Sequence, residues 1–324
     1  MNDNITPYVR YIGADDKDLD LFESQYVVPQ GISYNSYVIT DEKIAVMDTI
    51  DQRKTEEWTV RLEEALEGRT PDYLIVQHME PDHAANIGWF AEKYPEATIV
   101  ASAKAIQMMP QFFEEVNFAG RTQTVKEGDT LCLGQHTLKF IMAPMVHWPE
   151  VMLTYEESEK ILFSADAFGK FGALCHEGEW IDEARRYYFN IVGKYGAQVQ
   201  ALLKKAAGLD IAMICPLHGP VLKENLGYYI GLYDTWSKYE PETEGVVVAY
   251  ASIHGNTAAA ARRMAEILSE KGATEVMLID LCRDDMALAV ESAFRYSKMI
   301  VAASSYDAGV FPPMFDFLHH LQIK

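Results

Sequence analysis

Short apolar runs of strand length recur along this chain, and four of them lead into a side chain able to bind a metal. His78 follows YLIVQ (73–77), and His147 lies just beyond TLKFIMAP (137–144). Asp166 closes ILFSAD (161–166), and His218 lies just beyond IAMICP (211–216). In an α/β protein the strands hold their carboxyl ends rigidly while the loops beyond them stay exposed, so functional side chains gather there. Scattered surface residues would rarely show this coincidence. The pattern calls for a fold in which several strands end at one place.

The rest of the chain fits that demand. Residues 32 to 49 read as two β-rich runs joined by the polar turn TDEK, a hairpin signal. ATIVAS (97–102) and MLTYE (152–156) are further strand-length runs. Helical spacing appears at 55–68, with Gly68 as a stop, and at 102–116 and 190–208, so helices and strands are interspersed. The segment LYDTWSKYEPETEG (232–245) ends a helical stretch in Pro and acidic residues and reads as the linker between domains, with its acidic run EPETEG (240–245) solvated. A first domain over 1–240 and a second over 246–324 are therefore expected. The second alternates strictly: strand 246–252, helix 257–272, strand 275–280, helix 284–295, strand 298–305. That is the βαβαβ of an open, doubly wound parallel sheet.

The 324 residues, 49% hydrophobic, can supply a core for each of two domains. A formal charge of -20 disfavours nucleic acid or an anionic membrane surface as the main partner. No basic and apolar leader opens the chain and no membrane-spanning run occurs in it, so a cytoplasmic protein is expected. Cys132, Cys175, Cys215 and Cys282 lie far apart without a CxxC pair, which reads as reduced and mostly buried thiols rather than disulfides or an iron-sulfur knuckle.

The densest cluster of ligand-type residues is HMEPDHAANI (78–87). His78, Glu80, Asp82 and His83 join His147, Asp166 and His218 to make seven ligands, too many for one tetrahedral ion and suited to two ions with a bridging carboxylate. Three carboxylates against two divalent ions leave a small net charge that a bridging hydroxide would cancel, which favours burial. Imidazole serves zinc, copper, iron and nickel alike. Glu80 discriminates, because mixed carboxylate and imidazole ligation with open positions is the usual environment of redox-active non-haem iron.

HMEPDH resembles the HxExDH motif of the flavodiiron proteins, and MVHWPE, FSADAFG and CPLHGP match that family's later ligand segments in order and spacing. The resemblance implies a metallo-β-lactamase-like αββα sandwich followed by a flavodoxin-like domain. It also implies one iron on His78, Glu80 and His147, another on Asp82, His83 and His218, and Asp166 bridging. Within the family the side chain equivalent to His83 need not always coordinate.

YASIHGNTAAAARRM (250–264) is a strand-to-helix turn that gathers hydroxyls and backbone N–H groups at a positive helix end, an anion site without Lys or Arg. It lacks the nucleotide fingerprints GxxxxGK[ST] and GxGxxG. It resembles the flavodoxin phosphate loop, and ASSYDAGVFPPM (303–314) resembles the second flavin loop of that fold. By resemblance Ser252, His254, Gly255, Asn256 and Thr257 surround the FMN phosphate, while Ser304, Ser305, Tyr306, Asp307 and Gly309 approach the ring and ribityl chain. A flavodoxin sheet normally has five strands and this chain stops after three, so the flavodoxin-like domain is expected to be incomplete at its carboxyl end.

His136, His319 and His320 read as surface residues, Trp148 and Pro149 as shaping the pocket, and His176 and Tyr195 as outer partners of the metal ligands. The resemblance implies reduction of dioxygen to water, of nitric oxide to nitrous oxide, or both, at a diiron centre fed by FMN. It further implies rubredoxin or a reductase as donor and a head-to-tail homodimer or dimer of dimers. Two other readings compete: a dizinc hydrolase fused to a flavodoxin-like module, and a non-catalytic electron carrier.

Overall fold

The computed structural model describes residues 4–176 and 178–324. The chain divides into two compact units: one of residues 1–179 and 201–229, and one of residues 180–200 and 230–324. These units cut the chain differently from a boundary in chain order near residue 240. The segment 180–200 belongs with the second.

The first unit is built on two large sheets. Six strands, β1 (Val9–Tyr11), β2 (Tyr37–Thr40), β3 (Ile44–Met47), β4 (Tyr73–Val76), β5 (Thr98–Ser102) and β6 (Thr122–Val125), lie side by side in chain order. The expected hairpin is β2–β3, antiparallel, and β3 to β6 then run parallel. The second sheet orders β7 (Thr130–Cys132), β8 (Thr137–Met142), β9 (Met152–Glu156), β10 (Ile161–Phe163) and β11 (Met213–Cys215), with only the β10–β11 pair parallel. Their facing sides share one core: Tyr37, Ile39, Met47, Ile75 and Val100 from the first sheet meet Leu138, Phe140, Met152, Ile161 and Phe163 from the second. Period-two alternation sends these residues inward on each strand, and removing them from water is the main drive for the sandwich. Helix Ala103–Phe112 packs on β5 and β6, and helix Thr55–Leu66 buries Trp58 and Leu62. This is the metallo-β-lactamase-like α/β sandwich.

The second unit is built on three parallel strands, β12 (Thr243–Ala251), β13 (Val276–Asp280) and β14 (Tyr296–Ala303), in the order β13-β12-β14. Along β12 the side chains alternate between two separate cores. Val246, Val248 and Tyr250 pack with Ala258 and Ala261 of helix Asn256–Glu270, whereas Val247, Ala249 and Ala251 pack with Ala289 of helix Met286–Arg295 and with Met314 and Phe317. Helices on both faces of a parallel sheet are the doubly wound arrangement that strict strand-helix alternation predicts.

Three expectations change here. The acidic run 240–245 is not wholly solvated: β12 begins at Thr243, and both carboxylate oxygens of Glu242 bind the Arg185 guanidinium at 2.5–2.7 Å. His136 is buried rather than superficial, because Asp41 accepts from both its Nδ1 (2.7 Å) and its backbone N–H (2.8 Å). Of the cysteines only Cys215 is buried, on β11 in the core, while Cys132 and Cys175 are exposed.

Candidate metal centre and flavin loops

The motif loop starts where β4 ends. Asp48, after β3, accepts from the backbone N–H of Gln77 (2.7 Å) and of His78 (3.3 Å) and from the Gln77 amide (2.8 Å), which fixes the exit from the strand. Burial pushes the Asp48 carboxyl up to about 6 against these donors. Pro81 then opens a one-turn helix, Pro81–Ala84, with Glu80 at its N-cap, since proline at the first helical position costs no hydrogen bond. One turn is enough to point Asp82 and His83 into the interior. The backbone carbonyl of His83 accepts from Thr49 N–H and Oγ1 at 3.0 and 2.8 Å, tying this turn to the loop after β3.

The seven residues named from sequence come together in two groups, His78 with Glu80, His147 and Asp166, and Asp82 with His83 and His218. Six of the seven are buried and Glu80 is partly buried. Asp166 faces both groups. Its Oδ2 lies 3.3 Å from His78 Nε2 and 3.0 Å from His147 Nε2, and its Oδ1 lies 3.2 Å from His83 Nε2. His147 Nε2 is 3.0 Å from Glu80, and Asp82 Oδ2 is 3.2 Å from both His83 and His218. Gly169 makes room here, since a Cβ on it would stand 2.9 Å from the Asp166 carbonyl and 3.4 Å from His218 Cβ.

These spacings are those of ligands around an ion. Donor atoms about 2.1 Å from one cation, at right or tetrahedral angles, stand roughly 3.0–3.4 Å from each other. No carboxylate oxygen of Asp82 or Asp166 makes a hydrogen bond, although all four are buried. Buried carboxylates left in that state are costly unless a cation meets them. Facing Nε2 pairs, His78 with His147 at 3.3 Å and His83 with His218 at 3.1 Å, have the same need.

The ligands also perturb one another's acidity. Burial opposes charge on His78 and His147, but the Asp166 and Glu80 carboxylates outweigh it, holding His78 well above the ordinary imidazole range and His147 up to about 9. Burial also opposes ionisation of Asp166 and Glu80, and the surrounding imidazoles still hold both far below the usual carboxylate range. Asp82 is pushed up to about 7, chiefly by burial, and burial lowers His218.

Some residues of this site carried no signal in the sequence. Glu150 accepts from His78 Nδ1 at 2.8 Å, Ser33 offers its backbone carbonyl to His218 Nδ1 at 2.7 Å, and Glu23 sits against Glu80, its carboxyl pushed up to about 7 by burial and that neighbouring charge. None is spaced from the motif in any regular way. Trp148 meets the His78 ring edge-on with centroids 5.4 Å apart, in keeping with a pocket-shaping role. His176 is exposed and Tyr195 lies in the second unit, and neither belongs to the two ligand groups.

In the second unit the two loops expected to bind flavin leave the carboxyl ends of adjacent parallel strands, β12 and β14. They touch: Thr257 Oγ1 and Ser304 Oγ are 3.1 Å apart. Ser252 Oγ accepts from Gly255 N–H at 3.1 Å, and Gly255, at φ +90°, takes the left-handed conformation that lets the chain turn into helix Asn256–Glu270. His254 and Asn256 are exposed on that turn. Ser305–Tyr306 and Gly309–Val310 form a small hairpin whose turn, Asp307 and Ala308, has positive φ at both residues. Tyr306 is half exposed and its ring contacts Phe311. Neutral hydroxyls beside a helix N-terminus suit a phosphate monoester.

The chain matches the family model described as ODP family beta lactamase over residues 32–219. It is 30% identical to the anaerobic nitric oxide reductase flavorubredoxin of Aliivibrio fischeri over 99% of this chain and 66% of that protein. The flavodiiron protein of Giardia intestinalis superposes with a TM-score of 0.93 at 27% identity, covering 99% of this chain and 80% of that one. The rubredoxin oxygen:oxidoreductase of Desulfovibrio gigas does so with 0.92 at 27%, covering 98% and 81%. Among curated relatives the chain spans from about half to four fifths of their length. The fold, the ligand groups and these matches agree: the chain belongs to the flavodiiron family of oxidoreductases, with its β-lactamase-like domain covering residues 32–219.

Proposed function

We propose that the protein reduces dioxygen to water, nitric oxide to nitrous oxide, or both, with electrons delivered through FMN. The observation that carries this reading is Asp166, whose two carboxylate oxygens, neither of them hydrogen-bonded, face separate ligand groups. In this reading His78, Glu80 and His147 would hold one iron, Asp82, His83 and His218 would hold the other, and Asp166 would be shared between them. When bound, such a pair would supply two electrons to a small substrate and a flavin would replace them.

The protein's own residues prepare that chemistry. Asp48 and Glu150 fix the backbone and ring of His78. Trp148 at His78, and Phe22 and Tyr34 at His218, wall the pocket with aromatic edges and limit water around the reacting ligand. Ser252, His254, Gly255, Asn256 and Thr257 would bind the FMN phosphate, and Ser304, Ser305, Tyr306, Asp307 and Gly309 would border the flavin ring and ribityl chain. The reading includes a metal module over 1–240, a flavin module over 246–324, rubredoxin or a reductase as donor, a head-to-tail dimer and a cytoplasmic setting. No helix among the described residues is long and apolar enough to cross a membrane.

The test is metal and flavin content followed by turnover. The expected result is two irons and one FMN per chain, with consumption of dioxygen or nitric oxide when reduced rubredoxin is supplied. Two zincs with hydrolase activity and no reductase turnover would overturn the reading.

A further inference from the structure

The two ligand groups have similar donors facing inward but differ behind the imidazoles. Glu150, fully buried, accepts from His78 Nδ1 at 2.8 Å and from the backbone N–H of Met79 at 2.9 Å through the same oxygen. The Glu150 carbonyl in turn accepts from Ser102 Oγ at 2.8 Å, which anchors this residue to the end of β5. In the other group, His218 Nδ1 faces a neutral carbonyl, Ser33 O at 2.7 Å, and the buried Nδ1 of His83 has no hydrogen-bond partner.

An anionic acceptor behind an imidazole fixes its tautomer and makes its metal-facing nitrogen more basic; a neutral carbonyl does so less, and an absent partner leaves the tautomer unset. The carboxylates in closest contact follow the same asymmetry: within 3.3 Å of an imidazole nitrogen stand Glu80, the shared Asp166 and Glu150 at the first position, and Asp82 and the shared Asp166 at the second.

We infer that Glu150 is a positioning residue that makes the two metal positions unequal, so that the His78 position takes the first metal and keeps the higher positive charge when the pair is half-reduced. This rests on the diiron reading of the site. It concerns the ranking of the two positions, which the ligand set alone leaves open.

The full-length protein, stripped of metal, is titrated with Co(II) against a competing chelator, with the visible absorption of each bound ion followed. The wild type should fill in two resolved steps. Glu150→Gln, which keeps an acceptor for both N–H groups and removes the charge, should weaken the tighter step about ten- to a hundredfold and leave the weaker step in place. Glu150→Asp should recover part of the loss. After iron loading and half-reduction, Mössbauer spectra should show ferric iron in one environment in the wild type and a mixture in Glu150→Gln.

Equal Co(II) affinities in the wild type, an unchanged tighter step in Glu150→Gln, or the same loss in Glu150→Asp and Glu150→Gln would each overturn the inference. Failure of the wild type to bind two ions would instead remove the diiron reading itself. Circular dichroism of each variant separates loss of the fold from loss of the ligand.

Discussion

Each unit of this protein buries a charged cluster, and the two are completed in opposite ways. In the second unit Arg185, 1% exposed, meets Glu242 through two hydrogen bonds of 2.5 and 2.7 Å, Glu291 at 2.8 Å and Asp182 at 3.1 Å. Its partners are themselves satisfied: Glu242 also accepts from the Trp236 indole at 2.7 Å, and Ser292 lies 3.0 Å from Glu291. In the first unit, the buried carboxylate oxygens of Asp82 and Asp166 make no hydrogen bond. A buried ion cluster closed by its own donors is architecture, whereas one left open toward a common centre asks for a cation from outside.

The largest expected effect breaks the open cluster at the residue both groups share. Asp166→Asn should reduce bound metal from two ions to one or none per chain, and lower turnover by more than the ten- to hundredfold typical of losing an outer partner. Elemental analysis and gas consumption measure this. Retention of two tightly held ions would mean that Asp166 is not the shared ligand.

Breaking the closed cluster should act on stability alone. Arg185→Ala strands Glu242 and Glu291 without their cation, at a cost of about 3–5 kcal/mol. Urea unfolding of the second unit measures that loss, with metal content per chain unchanged. A cost below about 1 kcal/mol would show that this cluster is better hydrated than its burial suggests.

Acidity sharpens the contrast. His147 stands at about 9 in the metal-free fold, above the roughly 6.5 of an unfolded histidine. Its proton therefore stabilises the metal-free fold fully below about pH 6.5, and the contribution is lost as pH rises through about 9. Metal binding runs the other way, because an ion must displace protons from His78 and His147. Calorimetry of metal loading near pH 7 should show proton release as a dependence of heat on the buffer, and affinity should fall as pH falls. Heat independent of the buffer would mean that these imidazoles are already neutral.

The smallest effect lies at the edge of the closed cluster. Asp285 caps helix Met286–Arg295 by accepting from Ala287 and Leu288 N–H, and its carboxylate also binds Arg186 at 2.9 Å. Asp285→Ala should cost about 1–2 kcal/mol in the same unfolding experiment.

Much of the fold was legible because local pattern and tertiary role coincide. Alternation along 246–251 sends residues to two faces whatever lies beyond, and both faces are covered by the helices that follow in chain order. The ligands were legible for a related reason: each lies in a segment that follows a strand, where rigid strand ends present side chains on exposed loops. Where role depends on a distant partner, the local pattern misled. His136 and Glu242 look polar and superficial until Asp41, 95 residues away, and Arg185, 57 residues away, are placed against them.

The residues from 78 to 218 thus determined by themselves the ligand types, their order and the strand ends that carry them. Only the tertiary structure decided how they divide into two groups, that Asp166 turns one oxygen to each, and that Glu150 stands behind His78 across 72 residues of chain. The physical reason is range. Strand and helix periodicity act over a few residues, whereas the pairing of buried charges is settled by which sheet edges the core brings together.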